Sequence, residues 1–563
     1  MRFRNWEIGG FDRDMAVGFC RKGVNPLVSV FLTSRGIVEI ADVRAILGED
    51  PIDIYDPFLM LNMDKAVARI YAAVENCERI AVYGDYDVDG MTSCAVLALW
   101  LRSRGADFEI YIPGRLGEGY GLNRTALDAL KGRGVGLIIT VDCGITAIEE
   151  AKYALSIGLG LVITDHHECR TALPEADAVV DPKQLNCGYP NKSLAGVGVA
   201  FKLVCALEHG AGTDEVLRKY GDLVAVGTIA DVMPVLGENR ELIRRGLRVL
   251  NSNPRPGFLS LLQKVCVECG KATSATVGFA LAPRLNAAGR MGKPDLSVAL
   301  LLTESNDESE ILATELCDLN LERRNLETEI YEAAVAMLPE LEPTEPIILA
   351  QRGWYQGVTG IVAAKMAERF LIPAIIISID NDGIGRGSCR SFGAFGLYDA
   401  LRSCEDILDN YGGHEMAAGV TIPEENIDEL RRRLSLYYKE HSAGFSQGLK
   451  IDFEVEKPEL LTVQNVEALE RLEPFGNGNP PPCLCIKGVE ISSAQSIGSG
   501  KHTRLRVEKA GKSLDCIFFS MPTEKLGISE GMIADIAFEP QINEFRGRCS
   551  VQLHVLDIRP ARE

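Results

Sequence analysis

Leu159-Gly160-Leu161-Val162-Ile163-Thr164-Asp165-His166-His167 is an apolar run that ends in an acid and two imidazoles. Two other runs in the same third of the chain end alike. Ile80-Ala81-Val82-Tyr83 leads into Gly84-Asp85-Tyr86-Asp87-Val88-Asp89-Gly90, and Leu137-Ile138-Ile139-Thr140-Val141 leads into Asp142-Cys143-Gly144. Short apolar runs bounded by Gly and Asp read as buried strands. Strands that each deliver polar groups at their carboxyl ends describe the ligand edge of an open parallel sheet. Acids and imidazoles gathered at one edge point to a metal site, and to more than one ion.

Outward from these strands, residues 79 to about 235 alternate strand and helix. Residues 91–104 form an amphipathic helix stopped by Gly105, and residues 146–157 form another stopped by Gly158. That alternation means βαβ units with right-handed crossovers. Residues 305–340 read as one long charged helix able to bridge two lobes, ended by Pro343 and Pro346. A second α/β region follows, with strands at 346–349 and 374–378 and a helix at 359–370 between them. Residues 441–449 read as a linker. The last hundred or so residues hold short strands at 504–507, 512–519, 533–538 and 551–558, the spacing of a small β-barrel of the OB kind. Residues 1–70 carry weak helical patterning and are expected to pack on the first lobe. There is no internal repeat.

The chain has 563 residues, enough for roughly three to five domains, and 46% of them are hydrophobic, enough for large cores. Its longest apolar stretches, such as 371–379, fall far below the roughly 20 residues of a membrane span. The opening Met1-Arg2-Phe3-Arg4-Asn5-Trp6-Glu7 lacks the apolar core of a signal peptide. The expectation is a cytoplasmic protein. The 16 Cys are scattered, several in apolar contexts (Cys94, Cys205, Cys516), and read as reduced, mostly buried thiols. A formal net charge of -20 argues against a general nucleic-acid coat protein. It leaves room for a nucleic-acid enzyme whose positive charge is confined to one groove and supplemented by metal ions.

Asp85, Asp87 and Asp89 stand two apart and would share one face of an extended segment. Three carboxylates so placed repel one another without a cation. A calcium loop of the DxDxDG type is the competing reading, but a strand precedes and position twelve is Val96 rather than Glu. Asp142 with Gly144 could by itself be an ordinary turn, and His166-His167 a core pair. Asp231 follows the apolar stretch 223–230 and precedes Val232-Met233-Pro234; a carboxylate in such company needs a partner or a metal. The combination carries more than its parts.

The set Gly84–Gly90, Val141–Gly144, Asp165-His166-His167 and Ile229-Ala230-Asp231 resembles, in order and spacing, the four motifs of the DHH phosphoesterases. Within that superfamily the chain is similar to the RecJ family of bacterial single-strand-specific 5′→3′ exonucleases. The likeness continues through 283–291, Leu319-Asn320 with Arg323-Arg324, Gly387-Ser388-Cys389-Arg390-Ser391 and Gly412-Gly413-His414. The resemblance implies an α/β fold with a DHH catalytic domain at 71–300, a connecting helix at 301–342, a DHHA1 domain at 343–442 and an OB-like domain at 450–563. A further C-terminal domain found in some members is expected to be absent.

The same resemblance implies two divalent cations, Mn²⁺ first and Mg²⁺ as a substitute. Oxygen donors with one imidazole suit both. By position Asp87 serves the first ion and Asp89 the second, Asp142 bridges them, and His166 with Asp231 completes the second. Asp85 fills the place of a ligand His that relatives carry where this chain has Tyr83. His167 contacts the scissile phosphate, and Asp165 orients an imidazole from behind. Recognition of a 5′ phosphate falls to Arg290, Ser388 and Arg390, with Arg115 a further candidate and His414 on the substrate backbone. On the barrel, Lys501, His502, Arg504 and Arg506 would track single-stranded DNA. A single-strand-binding protein and a RecQ-type helicase are the partners the family implies, for work in recombination and repair; no membrane is involved. An oligoribonuclease or cyclic-dinucleotide phosphodiesterase keeps the chemistry and changes the substrate, and a pyrophosphatase fits the second lobe and barrel less well. A replication scaffold without catalysis is the reading from another class.

Overall fold

The computed structural model describes residues 3, 5–114, 121–208, 212–339, 343–393, 395–441, 448–545 and 547–561. Their contacts divide the chain into two units: residues 53–445 with 476–478, and residues 1–52 with 446–475 and 479–563.

The larger unit is built on two sheets. In the first, five parallel strands lie in the order Phe108–Tyr111, Ile80–Tyr83, Leu137–Val141, Gly160–Thr164, Ala178–Val180. Ile80–Tyr83 and Leu137–Val141 are buried at every position, as strands covered on both faces must be. In chain order this is 2-1-3-4-5, and the order reverses between Ile80–Tyr83 and Leu137–Val141. Ligands bind at such a reversal, outside the carboxyl ends of the strands. The acids that follow those two strands therefore emerge where the topology opens a crevice.

The helix Val88–Ser103 crosses behind this edge. It is apolar nearly all round, with Asp87 as N-cap accepting from Gly90 N at 3.0 Å, and Gly105 just past its end at φ 66°. Capping forces a correction. Asp85, Asp87 and Asp89 do not share one face of an extended segment, because Asp87 and Asp89 already belong to the start of a helix. The helices Gly196–Leu207 and Thr213–Ala230 complete this core. The stretch before Asp231 is thus the end of a long helix, and Asp231 is its C-cap.

The helix Asn306–Ala336 places Ala313, Leu316 and Leu319 in the core of the first lobe and Ile330 and Ala334 in that of the second. The second sheet runs Asn410–Gly413, Ala417–Pro423, Ile384–Arg390, Ala374–Ile379, Ile347–Arg352, with the helix Gln356–Phe370 against it.

In the smaller unit the strands Leu484–Ile497, His502–Lys509, Lys512–Phe518, Arg548–Pro560 and Ile533–Phe545 close on themselves, because Leu484–Ile497 also pairs with Ile533–Phe545. The chain's beginning belongs here. Asn5–Ile8 pairs with Gly448–Ile451, and Phe19, Leu27, Val28, Phe31 and Leu32 share the barrel's core with Leu484, Ile486 and Phe538. Of the expected 1–70 segment on the first lobe, only the part from residue 53 lies there; the apolar face of the helix Pro26–Ser34 is buried among barrel residues instead. No described helix is long and apolar enough to cross a membrane. Seven thiols are buried, but Cys77, Cys266, Cys269 and Cys549 are exposed, the middle two in a Cys-x-x-Cys spacing that joins no metal-capable group among the described residues.

Candidate metal centre

Three groups of donors, each within 4.8 Å of one another, stand at the sheet's reversal: Asp85 with Asp87 and Asp142; Asp89 with His166 and Asp231; and Asp142 with His166 and His167. Asp142 belongs to two groups and so joins them. All six expected ligands are therefore brought together, from four separate segments of chain.

Each is positioned by its element. Asp142 follows a strand directly and sits at φ 61°, a left-handed conformation that Asp tolerates better than branched residues. Asp89 has both carboxylate oxygens fixed by backbone donors that the sequence did not reveal: Gly196 N to Oδ2 and Val197 N to Oδ1, each at 2.7 Å. These are the first amides of the helix Gly196–Leu207, which suit an anion. Val88 N donates to Asn286 Oδ1 at 3.2 Å, tying the Asp87–Asp89 turn to the helix Ala282–Arg290.

His166 Nε2 faces three carboxylates, 3.0 Å from Asp142, 3.6 Å from Asp231 and 3.8 Å from Asp89. Burial, and then the charge of His167, push its pKa down to about 3, so the ring is a neutral donor. Burial pushes the Asp231 carboxyl up to about 7, helped by Asp87. Burial, then neighbouring acids, also pushes Asp89 and Asp142 well above the usual range. Asp231 Oδ2 is buried and accepts no hydrogen bond from the described residues. Lone pairs converging on a common space from oxygens and one imidazole, against this much repulsion, fit divalent cations.

Asp165 and His167 form a separate pair. Asp165 Oδ1 lies 2.7 Å from His167 Nδ1, and Oδ2 accepts Ile145 N at 2.9 Å. Burial pulls the His167 proton away, but the bond and charge of Asp165 outweigh it and lift the ring to about 9. Burial likewise acts to raise Asp165, and His167 overrides it to hold the acid below its usual range. The imidazole that Asp165 orients is thus His167.

The expected end-recognition residues meet at the start of the helix Gln356–Phe370. Arg290 donates to Gly357 O at 3.4 Å, and Tyr355 donates to Arg290 O at 3.1 Å. Ser388 Oγ lies 3.0 Å from Thr359 Oγ1, and a Cβ on Gly360 would meet Arg390 at 3.3 Å. His414 is exposed in the turn before Ala417 and joins none of the metal-capable groups. Arg115 lies outside the described residues.

On the barrel, Lys501, Arg504 and Arg506 are exposed and His502 is half-buried. His502, Arg504 and Arg506 alternate with the buried Thr503, Leu505 and Val507 along one strand and so share its outer face. Arg506 pairs with Asp515 at 3.0 Å. Phe518 is buried, whereas Phe519 is exposed between the rings of His502 and His554, at 5.5 and 5.1 Å. Phe518 is the last residue of the strand Lys512–Phe518 and points into the barrel, whereas Phe519 stands in the turn that follows.

Three family profiles match: the N-terminal domain of the DHH family over residues 79–228, the DHHA1 domain over 343–440 and the RecJ OB domain over 451–557. The chain is 41% identical to the single-stranded-DNA-specific exonuclease RecJ of Bacillus subtilis, covering 98% of this chain and 70% of that protein. It is 34% identical to the RecJ of Salmonella typhimurium, over 95% and 96% of the two. Among solved structures it is similar to RecJ in complex with Mn²⁺ from Thermus thermophilus, with a TM-score of 0.84 and 29% identity over 99% of this chain and 80% of that one.

Proposed function

Since the chain belongs to the RecJ family, we propose that it is a metal-dependent exonuclease that degrades single-stranded DNA from the 5′ end to nucleoside 5′-monophosphates. Asp85, Asp87 and Asp142 would hold one divalent cation, and Asp89, His166, Asp231 and Asp142 a second, with Mn²⁺ preferred and Mg²⁺ accepted. Bound there, such ions neutralise charge on a phosphodiester and acidify a coordinated water.

The protein's own residues do the rest. Asp89 is aimed by two amides, with its Oδ2 3.8 Å from His166 Nε2. His167, kept protonated by Asp165, offers a positive donor to a non-bridging oxygen of the scissile phosphate or to the leaving oxygen. Arg290, Ser388 and Arg390 would bind the terminal 5′ phosphate beside the first turn of the helix Gln356–Phe370, where amides and guanidinium groups both favour an anion. The exposed Phe519 with Arg504 suits a base and its phosphate. A cytoplasmic setting, and work beside a single-strand-binding protein and a RecQ-type helicase in recombination and repair, belong to the same proposal.

The observation that carries the directional reading is the gathering of Arg290 from one lobe with Ser388 and Arg390 from the other. Digestion of 5′-phosphorylated single-stranded DNA with Mn²⁺, labelled at either end, tests it. The 5′ label should leave first as a mononucleotide, and Asp142→Ala or EDTA should abolish release. Cleavage of dinucleotides with long DNA left intact would move the assignment to a small-substrate phosphodiesterase.

A further inference from the structure

Two loops set the metal centre, and neither is capped by its own side chains. Residues 189–195 lead into Gly196 and Val197, whose amides hold Asp89; Ala195 makes no capping bond. Residues 231–236 carry Asp231 and lead into the helix Gly237–Ser252, whose N-cap is the equally uncapped Leu236. Asp89 and Asp231 must nonetheless face the same His166 nitrogen.

One buried carboxamide spans the two loops. Asn239 Nδ2 donates to Ser193 O at 2.6 Å and to Pro234 O at 3.1 Å. Its Oδ1 accepts from Asn191 Nδ2 at 3.0 Å, and Asn191 Oδ1 accepts Ser193 N at 3.0 Å. Both amide hydrogens of Asn239 are thus used, one on each loop, and its carbonyl is used as well. A carboxylate of the same shape could donate to neither loop. The neighbouring Glu238 anchors this bridge. Its oxygens take Lys202 Nζ at 2.7 Å, the Tyr189 hydroxyl at 2.8 and 3.0 Å, Tyr55 N at 3.0 Å and Asn191 Nδ2 at 3.2 Å. Lys202 lies on the helix that starts at Gly196, and neither its side chain nor that of Glu238 is accessible.

We infer that Asn239 is a positioning residue for the metal centre: it fixes the spacing between Asp89 and Asp231 by bridging the loop that aims the first to the loop that bears the second, on the footing of Glu238 and Lys202. This rests on the reading of the site as a metal centre.

The test is Mn²⁺ binding to the whole protein without DNA, followed by the electron-spin-resonance signal of free Mn²⁺, beside the melting temperature without metal. Asn239→Ala and Asn239→Asp should each raise the Kd by about 10–100-fold, the range for groups that orient metal ligands. Leu261→Ala serves as the control, a buried residue in the helix Pro256–Lys264, which packs on the helices Pro294–Leu302 and Asn306–Ala336. It should lower the melting temperature and leave the Kd where it was. The inference is overturned if both Asn239 variants bind like the wild type, or if the Kd moves in step with melting temperature across all three. Should the Asn239 variants not fold, Asn191→Ala removes one arm of the bridge and should raise the Kd by a smaller factor; an unchanged Kd there overturns the inference too. A wild type that binds no Mn²⁺ removes the metal reading itself, and this inference with it.

Discussion

The carboxylate of Asp142 lies against the α-carbon of Gly196, so closely that a methyl group there would stand 2.5 Å from Oδ1. The same glycine donates its amide to Asp89. One residue without a side chain therefore touches both the acid shared between the donor groups and an acid of the second group. Gly196→Ala should push Asp142 aside and weaken Mn²⁺ binding by about 10–100-fold. Titration calorimetry with Mn²⁺ reads this directly; unchanged affinity would mean that Asp142 is not a ligand.

Asp142→Asn keeps the shape and the left-handed backbone but removes one charge from a crowded group. Activity should fall by several kcal/mol of transition-state stabilisation, about 10³-fold or more. The metal-free protein should melt at a higher temperature than the wild type at pH 8, because repulsion is relieved. A lower melting temperature would show that Asp142 stabilises the fold rather than straining it.

Stability without metal should depend on pH in a set direction. Asp231 is raised to about 7 in the folded state, and Asp89 and Asp142 are raised too, while the unfolded chain loses those protons near about 3.9. Between these values the folded state holds more protons on these three acids than it lacks on His166, whose lowered pKa works the other way, so stability falls as pH rises from about 4 to about 7. Metal-free melting at pH 5 should exceed that at pH 8, and Mn²⁺ should reverse the order and release protons as it binds. A flat metal-free profile would contradict the raised values.

Asp165→Asn should leave Mn²⁺ binding nearly intact and lower kcat by about 10²–10⁴-fold, the range for a positioned acid. The alkaline limb of the rate profile should also move to lower pH, because the imidazole loses the acid that raises it. An alkaline limb that stays in place would assign it to another group.

Gly357→Ala tests the meeting of the two lobes, since a Cβ there would lie 2.3 Å from Arg290 O. Displacing Arg290 should reduce the preference for 5′-phosphorylated over 5′-hydroxyl DNA. A charge-assisted contact of about 1.5–3 kcal/mol corresponds to about 10–100-fold. Mn²⁺ affinity should not change. Equal loss on both substrates would place Arg290 outside end recognition.

The candidate ligands could be picked out in the sequence because they stand at marked strand and helix boundaries. Strand ends are announced locally by Asp, Gly and His after apolar runs, as at Thr164-Asp165-His166. What holds the ligands was not legible. The amides of Gly196 and Val197 carry no side-chain signal, and Asn191 and Asn239 are ordinary polar residues until the loops that bring them together are seen. Chain topology hid the rest. The strand Ile384–Arg390 is rich in Gly and polar residues because small groups pack there: a Cβ on Gly387 would meet Val420 of the neighbouring strand at 2.6 Å. The role of the opening helices was equally hidden, since their apolar faces do not name the surface they cover.

That last arrangement constrains synthesis. The opening residues share a core with strands encoded about 400 residues further on. On the ribosome, at about 5–20 residues per second, the helix Pro26–Ser34 is translated on the order of a minute before its barrel exists. During that interval Phe31 and Leu32 lack the barrel residues that share their core. The nascent chain thus has a window in which this helix is a client for chaperones, closed only when the strands up to Arg548–Pro560 have been made.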